Sequence, residues 1–148
     1  PNTPSFYGDF VIENLSDFLL PKIESAAGMK LLPTYTFFRV YKAGDILEKH
    51  RDRPACEISI SLCARKKGNI WPIYINNTDI MLEEGDAVIY KGCEVEHWRE
   101  PYGGEYYCQG FLHYNDSKKR KAKDNKFDGR PFVGLPDYFK GMKVKEIK

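Results

Sequence analysis

A mainly β fold, with about eight antiparallel strands in a double sheet of jelly-roll type behind one N-terminal helix, is what three features of this sequence predict. Aromatic residues make up 14% of the 148-residue chain, including ten Tyr and nine Phe, and such side chains favour strands. From Pro33 to about residue 114 the apolar period is two, in short runs punctuated by Gly, Asn and Asp. Before Pro33 the signals are those of a helix with a marked end. The length suits one domain that buries roughly two-thirds of its unfolded surface. A plain β-sandwich satisfies the same pattern.

Taken in order, 9–14 alternates well enough for a short strand, and Ser16 and Asp17 are good N-cap types for a helix that stops at Gly28. Pro21 belongs in a first turn, which argues for a late start. Residues 34–41 form the next strand, Ala43-Gly44-Asp45 a turn, and 46–50 another strand. The clearest alternation is 56–63, where Ile58, Ile60 and Leu62 face one way and Ser59, Ser61 and Cys63 the other. Residues 65–69 read as a basic loop and 71–75 as a strand. Asn76-Asn77 is a turn, and 79–83, 87–90, 94–98 and 106–114 complete the set. Residues 1–32 are expected to pack as a strand and helix on a core at 33–115, with 116–148 a basic C-terminal extension of the same domain.

A formal charge of +2 provides no global field for nucleic acid or membrane. Six basic residues between Lys118 and Lys126 face Asp124 alone, a pattern that fits a solvated loop. Cys56, Cys63, Cys93 and Cys108 have no Cys-x-x-Cys spacing. They read as buried free thiols in a reducing, cytoplasmic setting. No apolar run approaches the ~20 residues that span a bilayer.

The chemistry gathers at Tyr41 to Asp52. His50 and Asp52 stand one residue apart in extended chain, so both side chains face one way, about 6.6 Å apart along the strand. An imidazole and a carboxylate so placed lean onto one cation. A third ligand must come from a strand folded back alongside, and His97 follows the turn Glu84-Gly85-Asp86 and its apolar strand at a suitable distance. Two His and one carboxylate cover one side of an octahedral ion and leave the other side open, as a catalytic metal needs.

In this order and spacing, Tyr41-x-x-Gly44, His50-x-Asp52, Glu84-Gly85-Asp86 with its strand, and His97 followed by Pro101 and Gly104 resemble the iron(II)- and 2-oxoglutarate-dependent oxygenases, in their prolyl-hydroxylase-like branch. The likeness covers roughly residues 9–115. It implies a double-stranded β-helix with Fe(II) on His50, Asp52 and His97. It also implies 2-oxoglutarate as cosubstrate, consumed with O2 to give succinate, carbon dioxide and a hydroxylated protein, peptide or small-molecule substrate. The family sets an Arg or Lys on the last core strand, about ten residues after the second His, against the far carboxylate of 2-oxoglutarate. Here Tyr106 falls at that step and the strand offers no Arg or Lys. The family's tyrosine three residues before the His-x-Asp pair is Leu47.

Candidates to hold the cosubstrate are therefore Tyr41, Arg39, Arg65, Tyr106 and His113. Candidates to touch substrate are Arg53 in the loop after the ligands, and Trp98 and Arg99 beside His97. Two other readings stand beside the oxygenase. One is a cupin-like metal enzyme that does not use 2-oxoglutarate. The other is a non-enzymatic β-sandwich module that binds an acidic partner through the basic tail.

Overall fold

The helix departs furthest from expectation. In the computed structural model, which describes residues 3–143, strand β1 is Ser5–Tyr7 and helix α1 is Phe10–Ala27. The segment 9–14 is thus not a strand. Asp9 caps α1, its Oδ1 accepting from the N–H groups of Val11 (3.0 Å) and Ile12 (3.2 Å), which supplies partners for two of the helix's orphan donors. The apparent alternation at Phe10-Val11-Ile12 is the start of a helical stripe, in which Ile12, Leu19, Leu20, Ile23 and Ala27 pack on the sheet while Phe10 and Val11 face solvent. Ser16 is not a cap. It is buried mid-helix, where its Oγ and carbonyl both bond the Tyr114 hydroxyl, at 2.9 and 2.7 Å. Pro21 sits inside the helix on its exposed side, at the cost of one intrahelical bond. Gly28 ends the helix as expected, with φ 67° and its N–H on the Glu24 carbonyl.

Eight further strands follow: β2 (Leu31–Lys42), β3 (Leu47–His50), β4 (Ile58–Lys67), β5 (Ile73–Ile75), β6 (Thr78–Ile80), β7 (Ala87–Tyr90), β8 (His97–Arg99) and β9 (Tyr106–Asp116). They form two antiparallel sheets, ordered β1-β2-β9-β4-β7 and β3-β8-β5-β6. From β2 to β5 each strand lies in the sheet opposite its predecessor. β5 and β6 form a hairpin over Asn76-Asn77, both left-handed at φ 49° and 66° as a tight two-residue hairpin turn requires. From β6 to β9 the chain again alternates between sheets. Two halves of the chain are thereby wound into a double-stranded β-helix, a jelly roll with an N-terminal helix on one face.

The side-chain parity of β4 divides the interior into two cores. Ile58 and Ile60 join Ile23, Leu31, Leu112 and Tyr114 under the helix. Ser59, Ser61 and Cys63 turn the other way, into the space between the sheets, and all three are buried. One end of that space is closed by Tyr41, Cys63, Trp71, Ile73, Leu82, Tyr102 and Tyr107. Residues 65–67 were expected to loop. They extend β4 instead, with Arg65, Lys66 and Lys67 opposite Cys108, Tyr107 and Tyr106, because β9 is long enough to continue the ladder. Arg65 and Lys67 remain in solvent, while Lys66 is largely covered and pairs with Glu83.

After β9 the chain forms a short helix α2 (Ala122–Asn125) and two 3-10 turns (Lys126–Gly129 and Asp137–Phe139). This segment straps the start of the chain to the loop after β3. Buried Arg130 pairs with buried Glu13 and donates to the carbonyls of Phe127 (2.7 Å), Leu135 (2.6 Å) and Thr34 (3.2 Å). Asp128 accepts from the Tyr7 hydroxyl (2.5 Å), from both terminal nitrogens of Arg53 (3.0 and 2.8 Å) and from Lys140 (3.0 Å). Residues 1, 2 and 144–148 of the two terminal segments lie outside the described residues. No described helix is long and apolar enough to cross a membrane, and the four cysteines are free.

Burial alone pushes the Asp128 carboxyl up, but its hydrogen bonds from Arg53, Tyr7 and Lys140 hold it at about 2, below its ordinary 3.8. A carboxyl lowered by folding stabilises the fold above its unfolded value, and that contribution disappears as pH falls through the folded one. Denaturant unfolding should therefore show Asp128→Asn less stable than the parent above about pH 4, with the gap closing toward pH 2. A gap that does not change with pH would show that the strap does not depend on this charge.

Candidate metal centre

Asp52 is fixed by backbone before any other group acts on it. Its N–H donates to the Gly92 carbonyl at 2.8 Å, and Gly92 passes so close that a Cβ there would lie 2.2 Å from Asp52 Oδ2 and 2.6 Å from Ser59 Oγ. Only glycine fits this approach. Ser59, on the inward face of β4, donates from Oγ to Asp52 Oδ2 at 2.9 Å. That same oxygen lies 2.9 Å from His113 Nδ1. The hydroxyl has one proton, which Asp52 Oδ2 and the Cys56 carbonyl, also at 2.9 Å, share as acceptors, so the imidazole of His113 must donate to Ser59. Burial holds the His113 ring neutral, its pKa lowered to about 4.

The free edge of the carboxylate, Oδ1, faces two imidazoles. His50 closes β3 and stands opposite His97 on β8. Both Nε2 atoms are 3.3 Å from Asp52 Oδ1, and the ring centroids are 4.3 Å apart. Each Nδ1 is engaged by a backbone carbonyl, Glu48 for His50 (2.6 Å) and Val95 for His97 (3.1 Å). A carbonyl only accepts, so both Nδ1 atoms carry protons and both Nε2 lone pairs point at the carboxylate. Three acceptor atoms thus converge on one point, within 4.8 Å of one another. Two ligands set at right angles about 2.1 Å from an ion lie about 3 Å apart, close to the spacing seen here. Without an ion, only a proton relieves the conflict. The hydrogen bond to Asp52 raises His50 above its ordinary 6.5, and hydrogen bonds from both imidazoles hold the Asp52 carboxyl well below the usual range against the opposing push of burial.

A second cluster, Asp52, Cys56 and His113, is also compact. It makes a poorer cation site. Burial pushes the Cys56 thiol up to about 12, and the thiol is within 3.2 Å of the Tyr35 hydroxyl. His113 is committed to Ser59. The His50–Asp52–His97 group is also the accessible one: 39% of the His50 side chain and 12% of Asp52 are exposed, against 1% of His97.

The other candidates from the sequence scatter by strand parity. Tyr41 and Arg39 face the space between the sheets, with the Arg39 guanidinium 5.4 Å over Phe37 and 5.5 Å over Tyr41. Arg39 and His50 together line a cavity of about 300 Å³ between β2 and β3. Tyr106 and Arg65 lie outside this space. Arg65 is fully exposed and hydrogen-bonds Tyr106, while Tyr107 is the residue that turns inward. The one-residue difference follows from the period of the strand, which sends neighbours to opposite faces. His113 is inward but supports Asp52 through Ser59, so it is not a free cation or donor. Arg53 is held by Asp128 and lies over the Tyr35 ring at 4.5 Å. Trp98 faces away from His97, stacked on Tyr74 at 5.2 Å with Lys49 4.2 Å over it. Arg99 shares the parity of His97 and is buried inside, not at the mouth. Ser59 and Gly92 were not singled out from sequence. The polar face of the 56–63 alternation was the available signal for Ser59, whereas nothing local marks Gly92.

No protein-family model matches this sequence, and no curated protein matches it. Solved structures do. The non-heme alpha-ketoglutarate-dependent epimerase SnoN from nogalamycin biosynthesis superposes at TM-score 0.64 and 11% identity, covering 78% of this chain and 62% of that one. The viral collagen prolyl hydroxylase of Paramecium Bursaria Chlorella virus-1 gives 0.61 and 14%, covering 79% and 81%. An oxidoreductase of the 2OG-Fe(II) oxygenase family from Burkholderia pseudomallei gives 0.58 and 11%, covering 70% and 57%. The chain spans less than two thirds of the length of two of these three. At these identities the likeness defines the fold: the jelly roll of this chain is one that structures of 2OG-Fe(II) oxygenases also have.

If Ser59 and Gly92 set the carboxylate, their replacement should be felt in metal affinity. Ser59→Ala is expected to weaken Mn(II) or Fe(II) binding about 10- to 100-fold, the usual effect of losing a partner of a metal ligand, with little change in the unliganded fold. Gly92→Ala is expected to weaken it further, because the new methyl displaces Asp52. Titration calorimetry would show this, and wild-type affinity in both variants would remove these residues from the site.

Proposed function

We propose that this protein is a non-haem iron(II)- and 2-oxoglutarate-dependent oxygenase that hydroxylates a side chain of a protein or peptide, or a small molecule. The observation that carries the reading is the convergence of His50 Nε2, His97 Nε2 and Asp52 Oδ1 with their lone pairs unopposed. Two neutral imidazoles and one carboxylate on a single side of the point suit Fe(II) and leave positions for other ligands. The cavity beside His50 gives those ligands a way in. Likeness of fold to the viral collagen prolyl hydroxylase supports a peptide substrate, with proline the natural first choice, and likeness to the epimerase from nogalamycin biosynthesis supports a small one.

Bound at this triad, iron would supply dioxygen activation coupled to oxidative decarboxylation of 2-oxoglutarate. The chain supplies geometry. The Glu48 and Val95 carbonyls fix the tautomers of the two imidazoles, Ser59 and Gly92 fix the carboxylate, and Tyr90 walls the inner side of His97 at 4.8 Å between ring centroids. Tyr41, Trp71, Tyr102 and Tyr107 close the far end of the barrel to water. The absence of Arg or Lys from β9 favours, as a second reading, a cupin-like metal enzyme that does not use 2-oxoglutarate.

Anaerobic addition of Fe(II) and then 2-oxoglutarate is expected to produce the visible charge-transfer band of the chelate, and His97→Ala should abolish it. Iron binding without a band would transfer the protein to the cupin-like reading. Failure to bind iron would reduce the likeness to one of fold, with the basic run near Lys118 then to be tested against acidic partners.

A further inference from the structure

Among the described residues two cations that face the space between the sheets, Arg39 and Arg99, have no carboxylate partner, and the Nε of each is buried without a hydrogen bond. Arg99 follows His97 by two residues on β8, so both side chains enter the space between the sheets, about 6.6 Å apart along the strand. Arg99 is 1% exposed. Its guanidinium lies 4.6 Å over the Trp71 ring and 4.7 Å over that of Tyr107. It donates to the Trp71 carbonyl and, at 3.4 Å, to the Tyr107 hydroxyl. Among the described residues no carboxylate lies within 4.0 Å of it, and its Nε is without a partner. A buried charge left in this state is costly.

A second orphan donor stands beside it. The Tyr41 hydroxyl, in a residue with no exposed surface, has no hydrogen-bond partner. The Tyr41 ring and the Arg99 guanidinium both lie on Trp71, at 5.0 and 4.6 Å, and the Arg39 guanidinium is 5.5 Å over the Tyr41 ring. One uncompensated guanidinium and one unpaired hydroxyl are the chemistry that recognises a carboxylate. β9, where a cation was expected, instead turns Tyr107 inward ten residues after His97, and Arg99 reaches across to that ring from the facing sheet. The charge missing from β9 is provided by β8.

We infer that Arg99, with the Tyr41 hydroxyl, anchors the far carboxylate of a 2-oxo diacid whose other end lies at the His50–Asp52–His97 centre. This rests on the metal-dependent reading above. Arg39 lines the outer cavity with His50 and its Nε is likewise buried and unpaired, so it is the rival anchor that the test must separate from Arg99. Along β8 the backbones of His97 and Arg99 are one two-residue step apart, about 6.6 Å, so a diacid of the length of 2-oxoglutarate is of the right order to reach from one side chain to the other.

The test compares 2-oxoglutarate with 2-oxopentanoate, which has the same chain without the far carboxylate, by calorimetry on Mn(II)-loaded protein. Mn(II) binding is measured first. If the wild type binds no metal, the functional reading fails before the anchor is tested, and the anchor fails with it. With metal bound, the wild type is expected to prefer the diacid about 10- to 100-fold, as a charge-assisted hydrogen bond implies. Arg99→Gln should lose that preference while keeping wild-type affinity for Mn(II) and for 2-oxopentanoate. Arg99→Lys should restore part of it, and Arg39→Gln should keep it. If Arg99→Gln does not fold, Tyr41→Phe removes a single oxygen and should weaken the diacid selectively. Metal binding with no preference for the diacid, an unchanged preference in Arg99→Gln, or its loss in Arg39→Gln alone would overturn the assignment of Arg99.

Discussion

The geometry of this molecule depends on a single carboxylate oxygen, Asp52 Oδ1, facing two imidazole lone pairs at 3.3 Å. Such an arrangement is unfavourable unless something positive occupies the middle. The surrounding chain is arranged so that none of the three groups escapes. Two backbone carbonyls fix the rings, a hydroxyl and a glycine backbone fix the acid, and the strap from Asp128 to Arg53 fastens the loop that carries it. The site is held together from outside its ligands, the usual way in which a protein tunes a metal without touching it.

The double-stranded β-helix explains how residues so far apart in sequence meet. Because the chain changes sheet at most connections, β3 and β8 become neighbours although four strands intervene between them. β4 and β7 bring Ser59 and Gly92 to the same place from the other sheet. The parity of β4 gives its apolar face to the helix and its polar face to the barrel. The polar interior at the His50–Asp52–His97 end is therefore continuous with an aromatic interior at the other. Arg99 lies against Trp71 and Tyr107 of that aromatic cluster, and Arg39 lies over its Tyr41.

Much of this was legible in sequence. The existence of the strands from β2 to β9, the hairpin at Asn76-Asn77, the helix stop at Gly28 and the opposite faces of 56–63 follow from local period and turn chemistry, although 81–83 and 94–96, expected in strands, lie outside them. The helix start did not, because Asp9 and the run Phe10-Val11-Ile12 satisfy both a capped helix and a short strand, and only packing against Tyr114 and Leu112 separates them. His50 and Asp52 could be paired by spacing alone. Their meeting with His97 needed the fold, and the support from Ser59, His113 and Gly92 needed coordinates. Tyr106 and Tyr107 differ by one residue and by a whole face of the sheet, so a count of residues from His97 could not decide between them. Arg99 is visible in the sequence as the neighbour of Trp98, yet its separation from the carboxylates of the described residues is a property of three dimensions.

The proposed chemistry requires a three-ligand centre with open positions. Water-proton relaxation of the Mn(II)-loaded protein measures both features at once. The prediction is one tightly held ion per chain whose remaining positions carry rapidly exchanging water, with that exchange reduced when 2-oxoglutarate is added. An ion that shows no exchangeable water would mean a closed structural site. No tightly bound ion would mean that His50, Asp52 and His97 are held together for some purpose other than metal binding.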